Sequence, residues 1–173
     1  MKFNKELIYK IIDNKIDKII LYSLDDQELN TLYHALNLNH SLKEIYLYHN
    51  KIKDITLLCE SLKNNSCLRR LNLNDNKIED ISPLNFLSNS CLKDLSLSYN
   101  QIEDITPLKF LSNSCLEQLH LSENKIKDIT PLKLFIENNS YLKVLWLWDI
   151  QINNQDKQKI EKLAELKHIE LKI

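Results

Sequence analysis

The chain has 173 residues, 43% of them apolar, and a net charge of −1, which suits one domain with a hydrophobic core. A near-neutral charge does not indicate a general nucleic-acid-binding protein, and no apolar run approaches the ~18 residues that span a bilayer. Glycine is absent, which excludes the usual phosphate-binding loop, dinucleotide fingerprint and nucleophile elbow, because each needs glycine where the backbone turns sharply or approaches a ligand.

The N-terminal segment, residues 4–14, places Leu7, Ile8, Ile11 and Ile12 at helical spacing, so it predicts a short amphipathic helix. We interpret this helix as a terminal cap, with a partner-binding helix as the alternative. Charges are mixed among the apolar residues at this end of the chain, which does not fit a secretory signal. We therefore expect an intracellular, cytoplasmic protein that is not secreted; a nuclear or virion-associated location stays open.

A repeated pattern starts weakly at Ile16 and becomes regular from Leu42 onward. Residues 68–91, residues 92–115 and the stretch from Leu116 all read LxxLxLxxNxIxDI(S/T)PL. Further starts fall at Leu142 and, more weakly, at Leu166, so that consecutive starts lie 24 or 26 residues apart. Internal repeats with periods of roughly 20–50 residues are typical of solenoids. After the first start, residues 26–37 predict a helix.

Each LxxLxL segment predicts a short strand. Alternation places the second and third leucine inward and the residue between them outward, so successive strands stack as a parallel sheet with two inward ladders. The first ladder comprises Ile45, Leu71, Leu95, Leu119, Leu145 and Ile169, and the second comprises Leu47, Leu73, Leu97, Leu121, Leu147 and Leu171.

An asparagine follows each of four strands, at Asn50, Asn76, Asn100 and Asn124. An Asn side chain can bond backbone groups at a turn that would otherwise be buried and unpaired. We therefore predict a structural asparagine ladder. Ile150 stands at the next ladder position, which indicates that the array is close to its C-terminal end.

Three Ser/Thr-Pro pairs, at Ser82, Thr106 and Thr130, predict helix N-caps followed by proline at the first helical position. Kinase sites are the alternative interpretation of these pairs. The short helical turns that follow are expected to bury Leu84, Leu87, Leu108, Leu111, Leu132 and Phe135.

Four cysteines are present, and three of them, Cys67, Cys91 and Cys115, share one repeat position. Their spacing is the repeat period and not the close pairing of a zinc site. We expect these three and Cys59 to be small buried thiols without disulfides. At the C-terminus, residues 155–165 predict a helix with Ile160 and Leu163 facing inward, and residues 167–172 predict a closing strand.

The repeat resembles the leucine-rich repeat family over nearly the whole chain, from about Ile16 to Ile173. Its ending is similar to internalin-like and phosphatase-regulator-like repeats; its longer period and its cysteine are similar to ribonuclease-inhibitor-like repeats. The resemblance implies an α/β fold, a right-handed solenoid forming a short horseshoe with a parallel sheet on its concave face. We expect one domain over residues 1–173, with a helical cap over 1–15, repeats over 16–154 and a capping helix and strand over 155–173.

Leucine-rich repeat proteins usually bind partners on the concave face, so the outward strand residues form the candidate site. Tyrosines cluster toward its N-terminal end and both tryptophans toward the other end, with a polar floor of small residues between them, Ser98 included. The repeat places Glu170 in the column of Trp146. The predicted binding residues are Tyr22, Tyr46, Tyr48, Arg70, Asn72, Asn74, Asp94, Ser96, Tyr99, His120, Trp146 and Trp148.

The chemistry of this face favours binding over catalysis. Aromatic residues and arginine are enriched at binding hot spots, although the C-terminal helix or a side-chain cluster could instead cover the tryptophans. His49, His120 and His168 lack the cysteine or carboxylate partners of a metal cage. No nucleophile–base arrangement and no paired acid and base are evident.

We therefore predict a non-catalytic protein-interaction module without metal or cofactor. Its expected partner is a protein or peptide, not a nucleic acid, membrane or small-molecule substrate, and the expected state is a monomer. The alternatives within binding are a substrate-recognition adaptor for a ubiquitin ligase and a regulatory subunit of a phosphatase or GTPase system. A purely structural component is an alternative of another class, and an enzyme is disfavoured.

Overall fold

The computed structural model describes residues 2–173 and contains, within that range, seven parallel strands in one sheet. The strands lie side by side in chain order, so each repeat pairs only with its neighbours. This arrangement confirms the predicted α/β leucine-rich repeat solenoid. The strands are β1 Lys18–Ile20, β2 Glu44–Tyr46, β3 Arg70–Asn72, β4 Asp94–Ser96, β5 Gln118–His120, β6 Val144–Trp146 and β7 Glu170–Lys172.

Helices return the chain from one strand to the next. The α-helices are α1 Lys5–Ile12, α2 Asp26–Asn37, α3 Thr56–Leu62, α4 Thr130–Asn138 and α5 Asn154–Leu166, and two 3₁₀ helices span Ser82–Leu87 and Thr106–Leu111. The 3₁₀ helices occur where paired strand positions are 24 residues apart, and α-helices occur where they are 26 apart. A 3₁₀ helix rises about 2.0 Å per residue against about 1.5 Å for an α-helix, so it spans a similar length with fewer residues.

The core lies between the sheet and the helices. The inward leucines of the four middle strands are fully buried, with 0% of their surface exposed in both ladders. The residues predicted to face them from the helices are buried as well, from Leu84 to Phe135. Each fully buried leucine contributes about 1.5–3 kcal/mol relative to an exposed one, so the two ladders are a main source of stability.

The asparagines at the strand ends bond backbone groups of two repeats at once. The Asn100 Nδ2 donates to the carbonyl oxygens of Leu73 and Leu97, both at 3.0 Å. Its Oδ1 accepts from the backbone N–H of Ile78 at 3.0 Å. Asn76 and Asn124 repeat this pattern one repeat earlier and one later, and Asn50 does the same toward Leu21 and Leu24.

The predicted serine and threonine N-caps were wrong. Ser82, Thr106 and Thr130 are the first residues of their helices, and none of these helices has a side-chain bond from its N-cap residue. An aspartate two residues earlier accepts from the backbone N–H of each, at 2.7–2.8 Å from Asp80, Asp104 and Asp128. An ionised carboxylate is a stronger hydrogen-bond acceptor than a serine or threonine hydroxyl. Hydrogen bonds from the side chain and backbone N–H of Thr106 lower the pKa of Asp104, and those from the backbone N–H and side chain of Thr130 lower the pKa of Asp128.

The last strand pairs two residues away from its predicted register. Leu145 is opposite Leu171, and Trp146 is opposite Lys172, whereas the repeat pattern placed Ile169 opposite Leu145. Helix α5 continues through Leu166, which is 75% exposed, so Leu166 is a helix residue and not a buried repeat start. Glu170 therefore belongs to the column of Val144, and Lys172 belongs to the column of Trp146.

The cysteines differ from one another in burial. Cys59 is buried, and this burial raises the pKa of its thiol to about 12. Cys67 and Cys91 are half-buried and Cys115 is exposed, so the prediction of three buried thiols at the repeated position was wrong. That position lies at the start of a repeat, outside the inward ladders. All four thiols are free.

Truncating an inward leucine of a middle repeat should destabilise the protein strongly. Leu97→Ala is expected to cost about 2–5 kcal/mol, because Leu97 is fully buried and its truncation leaves a cavity in the core. Urea unfolding with a common m-value would measure the loss. Glu103→Ala, at an exposed loop position, is the control and should stay within about 0.5 kcal/mol. Equal midpoints for the two variants would contradict the assigned core.

Removing a ladder amide should be costly without changing the apolar core. Asn100→Ala leaves the buried Ile78 N–H and two or more carbonyls without their bonds, at about 1–3 kcal/mol for each buried group left unpaired. Urea unfolding should show a clear drop in midpoint. Asn113→Ala is the matched control at an exposed position. Similar midpoints for Asn100→Ala and wild type would mean that water replaces the amide.

Candidate functional site

The candidate site is the open sheet face, which we define as the outward residues of β1–β7 and the residues that follow each strand. Arg70 and Asp94 lie in its first column, together with Lys18 and Glu44. The middle column contains Tyr46, Asn72, Ser96, His120 and Trp146. A third column lies two residues after the middle column in the sequence and contains Tyr22, Tyr48, Asn74 and Trp148. Tyr99 lies in the turn after β4.

A row of alternating charges crosses the first column. The Lys18 Nζ lies 2.9 Å from the Glu44 Oε2, and the Arg70 Nε lies 2.7 Å from the Asp94 Oδ2. The Arg70 Nη1 is also 3.8 Å from the Glu44 Oε1, which links the two pairs. Lysine and arginine thus alternate with carboxylates on four successive strands, which holds these side chains in place on the face.

Tyr46 lies within this row of charges. Its hydroxyl accepts from the Arg70 Nη1 at 3.0 Å and donates to the Glu44 Oε2 at 3.1 Å. The Lys18 Nζ lies 4.7 Å from the centre of its ring, within the range of a cation–π contact. The predicted binding residues Tyr46, Arg70 and Asp94 therefore form one bonded network, and sequence reasoning missed that Lys18 and Glu44 complete it.

Tyr22 and Tyr48 form an aromatic pair beside this network. Their ring centroids lie 6.4 Å apart with an interplanar angle of 22°, and His49 contacts Tyr48 edge-on at 5.7 Å. Tyr22 is 54% exposed, so its ring offers contact area to a partner. Beyond the pair, His49 contacts Asp75.

The tryptophans form a second aromatic cluster at the other end. His120 stacks on Trp146 at 5.4 Å with an interplanar angle of 12°. Trp148 meets Trp146 nearly perpendicularly, at 78° and 5.0 Å. Trp146 is half-buried within the cluster, while Trp148 is 49% exposed. Trp146 is therefore partly covered by a side-chain cluster, as the alternative interpretation expected, whereas Trp148 is open to solvent.

The middle of the face is more buried than predicted. Ser96 and Ser98 are only 5% and 6% exposed, so they do not form an open polar floor. Short side chains between long neighbours are shielded by them, and both serines take part in local bonds. The Ser96 Oγ donates to the Asp94 Oδ1 at 3.3 Å, and the backbone N–H of Ser98 donates to the Asn74 Oδ1 at 2.8 Å.

His120 carries an unusual charge environment. Its Nε2 is buried without a hydrogen-bond partner and lies 3.6 Å from the Asp94 Oδ1. Burial lowers the pKa of the imidazole below its ordinary value; Asp94 opposes this shift and Arg70 adds to it. Burial therefore favours the neutral imidazole, whose ring stacks on Trp146.

A turn in the left-handed conformation follows each of the first six strands. The residues concerned are Ser23, His49, Asp75, Tyr99, Glu123 and Asp149, with φ between 51° and 57°. Glycine adopts this conformation most easily, and the chain contains none. These turns place polar or aromatic side chains, all exposed except the half-buried Glu123, along one rim of the open sheet face. The predicted Tyr99 is among them and is 57% exposed.

Two carboxylates meet on this rim. Hydrogen bonding to the Asp149 side chain raises the pKa of Glu123, with burial and like-charge repulsion adding to the shift. Sequence reasoning found no paired acid and base on this face and missed that Glu123 and Asp149 lie together. The signal was available, because both residues directly follow an outward residue at the same repeat position, 26 residues apart.

The site offers no evident metal chemistry. Among residues 2–173, no group of three or more histidine, cysteine or acidic side chains is arranged to hold a metal ion. Over the same residues, no helix combines the length and the apolar character needed to cross a membrane.

Comparison with known proteins identifies the family. A leucine-rich repeat family model matches residues 66–131, and a model of two leucine-rich repeats matches residues 40–89. The chain belongs to the leucine-rich repeat family, whose domains are generally protein-binding modules without enzymatic activity. A search of curated proteins found no significant match.

Solved structures agree with this assignment. An internalin, inlF, from Listeria monocytogenes is 26% identical with a TM-score of 0.60, over 91% of this chain and 54% of that one. Internalin C2 from the same organism is 26% identical with a TM-score of 0.60, over 95% and 72%. The actin-binding site 2 of leiomodin-1 is 17% identical with a TM-score of 0.63, over 96% and 98%, and shows the fold alone. The chain thus spans about half of the inlF structure.

The lowered pKa of His120 can be tested directly. An NMR titration of the imidazole should give a midpoint below 6.5, and Asp94→Asn should lower it further, because Asp94 favours the charged ring. His120→Gln would identify the signal. Since the unfolded ring binds its proton more tightly, this group costs stability as the pH falls below about 6.5. A midpoint above 6.5 would contradict the burial of the ring.

Proposed function

We propose that the protein is a non-catalytic interaction module that binds a protein or peptide partner on its open sheet face, the concave face of the solenoid. The observation that carries this proposal is the position of the tryptophans. Both tryptophans of the chain lie on this face, and Trp148 is about half exposed although it would gain free energy from burial.

The rest of the face supports the same proposal. Tyrosine, tryptophan and arginine are the residues most enriched at binding hot spots, and Tyr22, Tyr46 and Arg70 face outward with the tryptophans. The charged network around Arg70 fixes side chains before a partner arrives, which reduces the entropy lost on binding. A rigid surface with aromatic groups at both ends suits a partner that contacts several strands.

The chemistry of the face supports binding and not turnover. His120 is the one histidine that packs within the tryptophan cluster, and its Nε2 is buried, so it is poorly placed to exchange protons with a substrate. Glu123 and Asp149 share a rim position without an adjacent nucleophile. We also propose that the protein acts as a monomer without cofactor, and that neither nucleic acid, membrane nor small-molecule substrate is its partner.

We place the protein inside the cell. Its four cysteines are free, and the buried Cys59 and the exposed Cys115 are not paired. Thiols are kept reduced in the cytosol, whereas secreted proteins commonly use disulfides. The free thiols support a cytoplasmic location.

Removing both tryptophans should abolish partner capture without unfolding the protein. Wild type and Trp146→Ala/Trp148→Ala would serve as baits in an extract of the source cells, with bound proteins identified by mass spectrometry. We expect a partner held by wild type to lose at least about 2 kcal/mol of binding free energy, roughly thirty-fold in affinity. Circular dichroism would check that both baits are folded.

A matched double variant controls for the loss of exposed aromatic surface. Tyr9→Ala/Tyr141→Ala removes two rings that are 66% and 55% exposed and lie outside the open sheet face. This variant should retain every partner that wild type retains. Partners lost equally from both variants, or retained by both, would contradict binding at the tryptophans.

A further inference from the structure

We propose that the C-terminal end of the open sheet face binds an arginine side chain of the partner, at a corner formed by Trp146, Trp148, Glu123 and Asp149. This inference rests on the proposed function and specifies the chemistry of the group that is recognised. Its basis is the meeting of two features on neighbouring strands, an exposed aromatic wall and an uncompensated pair of carboxylates.

The aromatic wall has one side available for a ligand. Trp146 is stacked on His120 on one side, so that part of its π surface is occupied. Trp148 stands at 78° to Trp146, and about half of it is exposed. The exposed part of Trp148 therefore offers ring surface to a flat cationic group. A guanidinium over the face of a tryptophan gains about 0.5–2 kcal/mol from the cation–π interaction.

The carboxylates are held next to Trp148 by the backbone. The N–H of Glu123 donates to the carbonyl oxygen of Trp148 at 2.8 Å, and Asp149 follows Trp148 in the chain. Both residues adopt the left-handed conformation, with φ of 54° and 51°. The backbone of two adjacent turns therefore places Glu123 and Asp149 next to Trp148.

The pair lacks a cation of its own. Within residues 2–173, no lysine, arginine or histidine forms a salt bridge with Glu123 or Asp149. The nearby cations of the face are already paired, Arg70 with Asp94 at 2.7 Å and Lys172 with Glu170 at 2.6 Å. Hydrogen bonding to Asp149 is the largest cause of the raised pKa of Glu123, and burial and like-charge repulsion between the two groups add to it. A bound cation would relieve this repulsion.

Arginine fits this corner better than lysine. Its planar guanidinium stacks on aromatic faces and donates to carboxylates in a forked geometry. The corner presents these two requirements together, a ring face and two carboxylate acceptors on its rim. The ammonium of lysine is a strongly hydrated point charge, which can meet the carboxylates but gains less from the ring.

Tryptophan fluorescence would test the inference directly, because the only two tryptophans of the chain form the proposed corner. The probe is a blocked hexa-arginine peptide titrated at about 0.15 M salt, where long-range surface attraction is screened. We expect a saturable change in emission. Hexa-lysine should bind more weakly, and hexa-glutamate should give no saturable change.

A charge-removing variant and its control complete the test. Glu123→Gln/Asp149→Asn keeps the shape of the corner and should weaken hexa-arginine binding at least tenfold. Glu79→Gln/Glu103→Gln removes two charges from exposed loop positions outside the corner and should leave the affinity within twofold. The absence of saturation, or equal affinity for the two variants, would overturn the inference, and equal affinity for hexa-lysine would overturn the choice of arginine.

The carboxylate variant also separates this inference from the proposed function. A cellular partner lost by Trp146→Ala/Trp148→Ala but retained fully by Glu123→Gln/Asp149→Asn would overturn arginine recognition and leave the proposed function standing. Hexa-arginine binding that requires the carboxylates, together with no partner that depends on the tryptophans, would support the corner and contradict the proposed function.

Discussion

The structure depends on the amide of one asparagine at the end of each of the four strands β2–β5. Asn100 accepts from the backbone of Ile78 and donates to Leu73 in the preceding repeat, as well as to Leu97 in its own. The residue just before each of these asparagines adopts a left-handed conformation without being glycine, at a cost of roughly 1–2 kcal/mol. The amide bonds offset this cost and pair backbone groups that are buried under the next repeat. The strained turn before each ladder asparagine and the stacking of neighbouring repeats therefore stabilise one another.

The inward positions were predictable because burial imposes a period on the sequence. Leu71, Leu95 and Leu119 recur with the repeat, and alternation within each strand decides which face they occupy. The same reasoning failed for the last strand. Leu166 matches the repeat pattern, but it is an exposed residue of helix α5. A repeat that returns through an α-helix has 26 residues, two more than the 24 that the pattern assigned to this repeat. A single apolar match cannot distinguish the end of a helix from the start of a strand.

The sequence predicted which residues lie on the outward face of the sheet, but not which of their side chains contact one another. Alternation placed Tyr46, Arg70 and Trp146 on the outward face, and the structure places them there. It could not show that Ser96 is shielded, nor that Glu123 meets Asp149, because both outcomes depend on side chains from strands about 24–26 residues away in sequence. The cap error has a local cause: Asp104 accepts from the backbone N–H of Thr106 itself, and Thr106 is the first helical residue and not the N-cap.

The outward aromatic residues of the strands lie toward the two ends of the open sheet face, with short residues between them. In the middle of the face, Ser96 and Ser98 are short and buried, so these side chains project little above the sheet. Tyr46 on β2 and Trp146 on β6 are separated by four strand spacings, or about 19 Å at roughly 4.8 Å each. An extended segment needs about six residues to cover this distance at roughly 3.3 Å per residue. A helix needs about thirteen residues at 1.5 Å each. The short central side chains leave room above the sheet. A partner that contacts both aromatic clusters therefore passes over Ser96 and Ser98.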